Sequence, residues 1–185
     1  MALVYSATGS LDGYVADPDG DFQFAAPDEE LHLFVNQVFG AAGTLLLGRR
    51  TYDLMDYWDT VDLSGDVDRA EAEFARLWRE REKIVYSRTL AEVTHPRTQL
   101  RRSFDADAVR ELKATTDRNI MIGGADLAGE AFRAGLVDEV WTFLVPEVIG
   151  GGTPMFAAGT RTTLDLIEQR RFGSGAVGLH YRVLS

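Results

Sequence analysis

Short apolar runs, each ended by a glycine or by polar residues, alternate with amphipathic segments along most of the chain. Runs of this length, bounded by turn-forming residues, are typical of buried β-strands. They predict strands at 2–8, 44–48, 83–87, 119–124 and 138–150.

Helices are predicted between these strands. At 27–40 the apolar residues recur at helical spacing, and Gly40 suits the end of the helix. Further helices are predicted to open at Arg49, over 66–80, after an Asp105 cap, and over 125–135.

The last segment, 175–184, alternates apolar and polar residues, as an antiparallel strand with one covered face does. Helices separate the early strands, whereas strands follow strands late in the chain. This order predicts an α/β fold with a mixed sheet flanked by helices.

Composition limits the functions to consider. The 185 residues are predicted to form one domain, 1–185, and a net charge of −10 argues against nucleic-acid or anionic membrane partners. The chain has no cysteine, which excludes disulfides and thiolate chemistry. Without a recognisable leader or a membrane-length apolar run, we expect a cytoplasmic protein.

Three segments share one arrangement: a buried strand, a small or basic turn, and the start of a helix. They are LLLGRRT at 45–51, IVYSRT at 84–89 and IMIGGADL at 120–127. Helix N-termini, glycines and arginines all suit phosphate oxygens. Each turn alone also fits a plain capped helix or a solvated arginine, but three together predict a nucleotide across the carboxyl ends of the strands.

Other common sites are not supported by the sequence. The phosphate-loop GxxxxGK[ST] pattern does not occur, and the GxGxxG match, GSGAVG at 173–178, leads into a predicted strand, whereas a dinucleotide-binding fingerprint opens a helix. The three histidines, His32, His95 and His180, have no ligand spacing, so we expect no metal site.

Taken in order, SLDGYVADPDGD, LLLGRRTYDLMDYW, IVYSRTL and MIGGADLAGEAFRAGLVDEVWTFLVPEVIGGGTPMF resemble the dihydrofolate reductase superfamily. More narrowly, the chain is similar to the branch that contains the reductase domain of bacterial riboflavin biosynthesis. The resemblance implies a three-layer fold with a mainly parallel, mixed eight-stranded sheet, helices on both faces and antiparallel C-terminal strands. It also implies NADPH as hydride donor.

The same resemblance assigns cofactor contacts. The first turn would bind phosphates, with Arg49 or Arg50 meeting the 2′-phosphate, and the second would lie beside the adenosine ribose phosphate. A glycine pair, often joined by a cis peptide in the family, would precede the helix under the pyrophosphate. A mobile loop would lie along the nicotinamide. The residues implied are Val15, Ala16, Gly48, Arg49, Arg50, Thr51, Ser87, Arg88, Gly123, Gly124, Ala125, Asp126 and Leu127.

On the substrate side, the resemblance implies that Glu30 grips a heterocycle and that Thr142 supports its carboxylate. Glu30 also fits an ordinary acidic first helical turn. Asp12 is a second catalytic candidate, although it also fits a turn aspartate bonded to its own backbone. The riboflavin-pathway reductases usually carry Glu where this chain has Ile122, which puts their pyrimidine substrate in doubt.

Two functions compete at this point. The first is an NADPH-dependent reductase of a small heterocycle, pterin-like or pyrimidinone-like, walled by Trp58, Phe22 and Phe24 unless these residues are simply core packing. The second is a non-catalytic module that binds a nucleotide or heterocycle. A flavin or deazaflavin in place of the nicotinamide stays open, and the apolar late strands suggest a homodimer.

Overall fold

The computed structural model describes residues 1–184. Its strands are β1 (Leu3–Ser10), β2 (Tyr14–Ala16), β3 (Ala42–Gly48), β4 (Glu82–Tyr86), β5 (Thr98–Arg101), β6 (Asn119–Gly123), β7 (Glu139–Val145), β8 (Thr153–Pro154), β9 (Thr163–Arg171) and β10 (Val177–Leu184). Its α-helices are α1 (Glu29–Gly40), α2 (Arg49–Thr60), α3 (Arg69–Glu80), α4 (Ala106–Thr115) and α5 (Ala125–Arg133).

Eight strands form one sheet in the order β5-β4-β3-β6-β1-β7-β10-β9, and β2 and β8 form a separate pair. The pairings from β5 through β7 are parallel, whereas β10 runs antiparallel to both β7 and β9. The predicted mixed, mainly parallel sheet with antiparallel C-terminal strands is therefore confirmed.

Helices cover both faces of the sheet. Phe39 of α1, Tyr52 of α2 and Phe74 of α3 pack on one face in a cluster with Leu45 and Leu47 of β3. On the other face, Val109 of α4 and Leu127 of α5 pack with Leu3, Tyr5 and Ile122. The side-chain alternation of the strands directs these two sets to opposite faces.

Two strands of the main sheet, β5 and β9, were not predicted from the sequence. Both are edge strands, and β9 is exposed along nearly its whole length, so neither carries a buried apolar run. The predicted strand at 138–150 ends at Val145. Pro146 follows, and it has no backbone N–H with which to continue the ladder.

Aspartates start three of the helices. The side chains of Asp28, Asp68 and Asp105 each accept a hydrogen bond from a backbone N–H in the first turn of α1, α3 and α4. This confirms the predicted Asp105 cap and satisfies donors that have no partner within the helix.

Buried polar contacts fix the far end of α2. The carboxylate of Asp59 accepts a hydrogen bond of 2.6 Å from the Trp78 indole and lies 3.9 Å from the Lys83 ammonium. Desolvation lowers the pKa of Lys83, and its ammonium also donates to the Trp78 carbonyl at 3.0 Å. With its C-terminal end held in this way, α2 presents its first turn at the opposite edge of the sheet.

Candidate functional site

The three turns predicted to bind phosphate lie side by side at one edge of the sheet. β4, β3 and β6 are adjacent and parallel, with Gly48 paired to Tyr86 and Leu47 paired to Gly123. Each strand therefore ends at the same edge, directly before one of the turns. This is the carboxyl edge, where open α/β sheets bind their ligands.

Arg49 connects the first turn to the second. Its guanidinium donates a hydrogen bond of 2.7 Å to the hydroxyl of Thr89, and its Nε lies 3.3 Å from the carboxylate of Asp53. The Arg49 and Asp53 side chains are each 50% exposed, so this ion pair adds little stability. Its consequence is geometric, because it directs the guanidinium towards the second turn.

Arg50 and Arg88 have unused hydrogen-bonding capacity. Both side chains are exposed, and within residues 1–184 neither guanidinium donates a hydrogen bond or forms an ion pair. In a chain of net charge −10, these two groups supply positive charge at the edge where the turns meet. A guanidinium binds phosphate oxygens in a bidentate manner.

The helix predicted to start after IVYSRT does not form, because β4 is followed by a loop and then by β5. Side-chain hydrogen bonds shape the second turn instead. The Ser87 hydroxyl accepts hydrogen bonds from the backbone N–H groups of Thr89 at 3.3 Å and Leu90 at 2.9 Å. The Arg102 guanidinium donates to the carbonyls of Ser87, Leu90 and Ala91. Ser87 is buried, so its first role is to shape the turn that displays Arg88.

The third turn packs closely against the first. Gly124 has φ +99°, and a Cβ added there would lie 3.0 Å from the Thr51 hydroxyl and 3.8 Å from the Gly48 Cα. A Cβ on Gly123 would lie 3.3 Å from the Thr51 methyl group. Both glycines therefore permit the Thr51 side chain to approach the backbone of the third turn closely. Residues 1–184 contain no cis peptide, so the bond between the glycines is trans, and the cis form that the resemblance suggested is not found there.

The two helices that start at this edge differ from the aspartate-capped ones. α2 begins after Gly48 and α5 begins after Gly124, and neither cap supplies a side-chain hydrogen bond. The first-turn N–H groups are thus available to an anion, which the helix dipole also attracts. Leu127 can offer only its backbone because its side chain is buried, and Asp126 adds an exposed carboxylate to the same turn.

Asp12 anchors one loop to another. Its carboxylate accepts hydrogen bonds from the backbone N–H groups of Ile149 at 3.2 Å and Gly150 at 2.8 Å. Hydrogen bonding from the Ser10 hydroxyl, and then from these backbone groups, lowers the pKa of Asp12. A carboxyl held ionised in this way is a poor proton donor. The hydrogen bonds from Ile149 and Gly150 make Asp12 an anchor between two loops, a role that neither prediction from the sequence named.

Val15 and Ala16 lie in β2, which pairs with β8 through Tyr14–Pro154 and Ala16–Thr153. A Cβ on Gly152 would lie 2.0 Å from the Ala16 carbonyl, so the two segments are in tight contact. The loop follows β1, the neighbour of β6, and so begins at the same edge as the glycine pair.

Glu30 and Thr142 are not brought together. Glu30 accepts a hydrogen bond of 2.9 Å from the backbone N–H of Gly173, and its other oxygen lies 3.7 Å from the Arg170 guanidinium. Trp141 and its neighbour Phe143 pack on Phe34 of α1, the helix that carries Glu30. Thr142 lies between them in β7 and therefore points to the opposite face. The implied carboxylate–threonine pair is absent.

A cavity of about 140 Å³ adjoins the turns on the face covered by α1, α2 and α3. Thr51 and Gly123 belong to both the cavity and the turns. The other lining residues are Ser6, Val35, Val38, Phe39, Leu45, Leu47, Met55, Phe74, Trp78, Met121 and Ile122. Apart from the hydroxyls of Ser6 and Thr51, the lining side chains are almost entirely apolar.

The predicted aromatic wall is not part of this cavity. Trp58 and Phe24 pack against two of the core clusters, and Phe22 is 40% exposed. Three residues that shape the site, Ser6, Thr89 and Arg102, were not among the site residues assigned from the sequence, although Thr89 belongs to the segment IVYSRT. Nothing in the local pattern distinguishes them, since their roles arise from contacts with other segments.

Residues 1–184 contain no group of three or more His, Cys, Asp or Glu side chains placed to hold a metal ion. None of the helices in this described part of the chain is long and apolar enough to cross a membrane.

Comparison with known proteins places this geometry in context. A sequence model of the RibD C-terminal domain matches residues 2–177. Over 183 residues the chain is 29% identical to the uncharacterized protein YyaP of Bacillus subtilis (strain 168), covering 97% of this chain and 93% of that protein.

Two solved structures share the fold. A Shewanella sp. PV-4 protein named for riboflavin biosynthesis superposes with a TM-score of 0.76 at 21% identity, with 100% of both chains covered. Dihydrofolate reductase from Enterococcus faecalis, solved in complex with NADP(H), superposes with a TM-score of 0.63 at 13% identity, covering 100% of this chain and 97% of that one.

Proposed function

The chain belongs to the RibD C-terminal domain family, as its sequence resemblance predicted, and from this premise we propose that it is an NADPH-dependent reductase of a small heterocycle. One observation carries the proposal. The turns that follow β3, β4 and β6 meet at one edge, where two helices start without side-chain caps.

The residues at this edge fit a dinucleotide phosphate. The backbone N–H groups at the starts of α2 and α5 would hold pyrophosphate oxygens, and the glycines Gly48, Gly123 and Gly124 leave room for close approach. The exposed guanidiniums of Arg50 and Arg88 would bind the 2′-phosphate that distinguishes NADPH from NADH. Arg49 would contribute less, because Thr89 and Asp53 already engage it.

NADPH, when bound, supplies a hydride. The protein's own part in the reaction would be to orient the substrate and to exclude water around it. The apolar cavity beside Thr51 and Gly123 is the place in the fold suited to this role.

An isotope experiment tests the proposal. NADPH deuterated on one face of C4, and in a second sample on the other face, is incubated with the protein and candidate heterocycles, and the products are analysed by mass spectrometry. Transfer of one deuterium to a product, from one face only, is the expected result. If deuterium reaches no product although the cofactor binds, the protein is not a reductase of these compounds.

A non-catalytic binding module is the second candidate, and one observation favours it. Both carboxylates considered for catalysis, those of Glu30 and Asp12, already accept backbone hydrogen bonds outside the cavity. Tight heterocycle binding that NADPH does not affect, together with no deuterium transfer, would support this candidate.

We also propose that the protein forms a homodimer. The edge strand β9 carries the exposed apolar side chains Leu166 and Ile167, which are 49% and 43% accessible, and its outer backbone groups have no partner strand in the sheet. Sedimentation equilibrium tests the proposal, and a monomer mass at all concentrations would contradict it.

A further inference from the structure

The cavity next to the three turns has few polar groups in its lining. Only two of its lining side chains, Ser6 and Thr51, carry a hydroxyl, and none carries a charge. Both residues are half-buried, and within residues 1–184 neither hydroxyl forms a hydrogen bond. Two hydroxyls that lack protein partners therefore line one apolar cavity.

The nearby carboxylates do not supply a charge to this cavity. At the start of α1, the Glu30 carboxylate accepts a hydrogen bond from the Gly173 N–H and lies near the Arg170 guanidinium. The Asp12 carboxylate accepts hydrogen bonds from the N–H groups of Ile149 and Gly150. Neither residue lines the cavity. A cationic or amidine-like edge needs a carboxylate when it leaves water, because an unpaired buried charge is costly.

The size of the cavity sets a second limit. Its volume is about 140 Å³. An apolar protein cavity of roughly 150 Å³ holds one benzene molecule. One six-membered ring therefore fits inside the cavity, whereas the second ring of a pterin would extend beyond it.

Resting on the proposed reductase function, we propose that the substrate is a neutral six-membered ring with a conjugated carbonyl, of the α,β-unsaturated lactam or enone type. Such a ring has one or two polar edge groups, which matches the two hydroxyls. One hydroxyl donates to the carbonyl oxygen, and the other accepts from the lactam N–H. The rest of the ring is apolar, as the remaining walls require.

The reaction balances with the nicotinamide as reductant. Hydride adds to the β-carbon of the C=C bond, the electron pair of that bond moves towards the carbonyl, and a proton from water completes the α-carbon. One NADPH and one proton give NADP⁺ and the saturated lactam. The hydroxyl that donates to the carbonyl oxygen stabilises the charge that develops there.

Ligand binding without the nicotinamide tests this inference separately from the reductase proposal. Calorimetry would measure the affinity of 5,6-dihydro-2-pyridone and of 7,8-dihydropterin for the wild type, Ser6→Ala, Ser6→Leu and Ser64→Ala. Ser64 is exposed in the loop between α2 and α3 and serves as the matched serine control. NADPH binding is measured on the same four proteins by fluorescence.

We expect the lactam to bind at least tenfold more tightly than the pterin. Ser6→Ala, the conservative change, should weaken the lactam about three- to tenfold through one lost hydrogen bond, and Ser6→Leu should abolish its binding by filling the cavity. Ser64→Ala should change neither affinity, and all four proteins should bind NADPH alike.

Three results would overturn the inference: no lactam binding at millimolar concentration, pterin binding as tight as that of the lactam, or unchanged lactam affinity in Ser6→Ala. Lactam binding that depends on Ser6 in a protein that fails to bind NADPH would leave the cavity assignment intact and refute the reductase proposal instead.

Discussion

Arg49 in the first turn of α2 donates a hydrogen bond of 2.7 Å to the hydroxyl of Thr89, in the turn that follows β4. This contact joins two of the three turns at the carboxyl edge of the sheet. It also distinguishes the roles of two adjacent arginines. Arg49 already contacts Thr89 and Asp53, whereas Arg50 is exposed and has no partner within residues 1–184.

Arg50→Ala should weaken NADPH binding about ten- to a hundredfold and leave NADH nearly unchanged. Loss of a charge-assisted contact costs about 1.5–3 kcal/mol, and only NADPH carries the 2′-phosphate. Fluorescence titration measures both affinities. Arg182→Ala, an exposed arginine at the other end of the sheet, is the control. An equal loss for both cofactors would refute the role of Arg50 in selectivity.

Gly124→Ala should destabilise the fold by about 1–3 kcal/mol and weaken cofactor binding. The residue has φ +99°, and the new methyl group would lie 3.0 Å from the Thr51 hydroxyl. Gly40→Ala is the matched control, since its Cβ would meet its nearest atom at 3.9 Å. Urea unfolding gives both stabilities. Similar stability of the two variants would show that the close approach at Gly124 is not needed.

Glu30→Gln should retain turnover to within about threefold. The carboxylate is half exposed and accepts from the Gly173 N–H, a bond that the amide oxygen of glutamine also accepts. Steady-state kinetics at saturating NADPH measure the effect. A loss of kcat greater than tenfold with unchanged NADPH affinity would instead support the catalytic role implied by the family resemblance.

Asp12 should make stability depend on pH in a defined direction. Hydrogen bonds from Ser10, Gly150 and Ile149 lower the pKa of Asp12 from its ordinary value of 3.8. The contribution of Asp12 to the free energy of unfolding is therefore fully present above pH 3.8. The contribution is lost as pH falls through the lowered pKa of the folded state. The thermal midpoint of the wild type should exceed that of Asp12→Asn at pH 7, and the difference should vanish in strong acid. A difference that persists unchanged into strong acid would contradict this role.

Sequence patterns predicted the fold where strands are buried and helices amphipathic. The edge strands β5 and β9 were not predicted, because their side chains are largely polar or exposed. These segments are strands because they pair with β4 and β10, which the local sequence does not reveal. The first and third turns followed from local chemistry, since strand, glycine and helix start are adjacent in sequence. The second turn lacks a glycine, and the helix predicted after it does not form. The approach of the three turns to one another depends on strand order, which a single sequence does not encode locally.

The substrate side was less predictable for a physical reason. Strand register decides which layer of helices a side chain of β7 faces. A register shift of one residue would turn every side chain of the strand to the opposite face. Thr142 faces away from α1 while its neighbours Trp141 and Phe143 face towards it. Likewise, the partners of Glu30 come from the hairpin between β9 and β10, which its own segment does not reveal.

The most direct test of the central claim is the affinity of the wild type for NADPH and NADH, compared with that of the double variant Arg50→Ala/Arg88→Ala. If the edge holds the 2′-phosphate, the wild type should bind NADPH at least about tenfold more tightly than NADH. The double variant should bind the two cofactors alike, with the affinity of the wild type for NADH. Equal affinities in the wild type, or a preference for NADPH that survives both substitutions, would contradict the account.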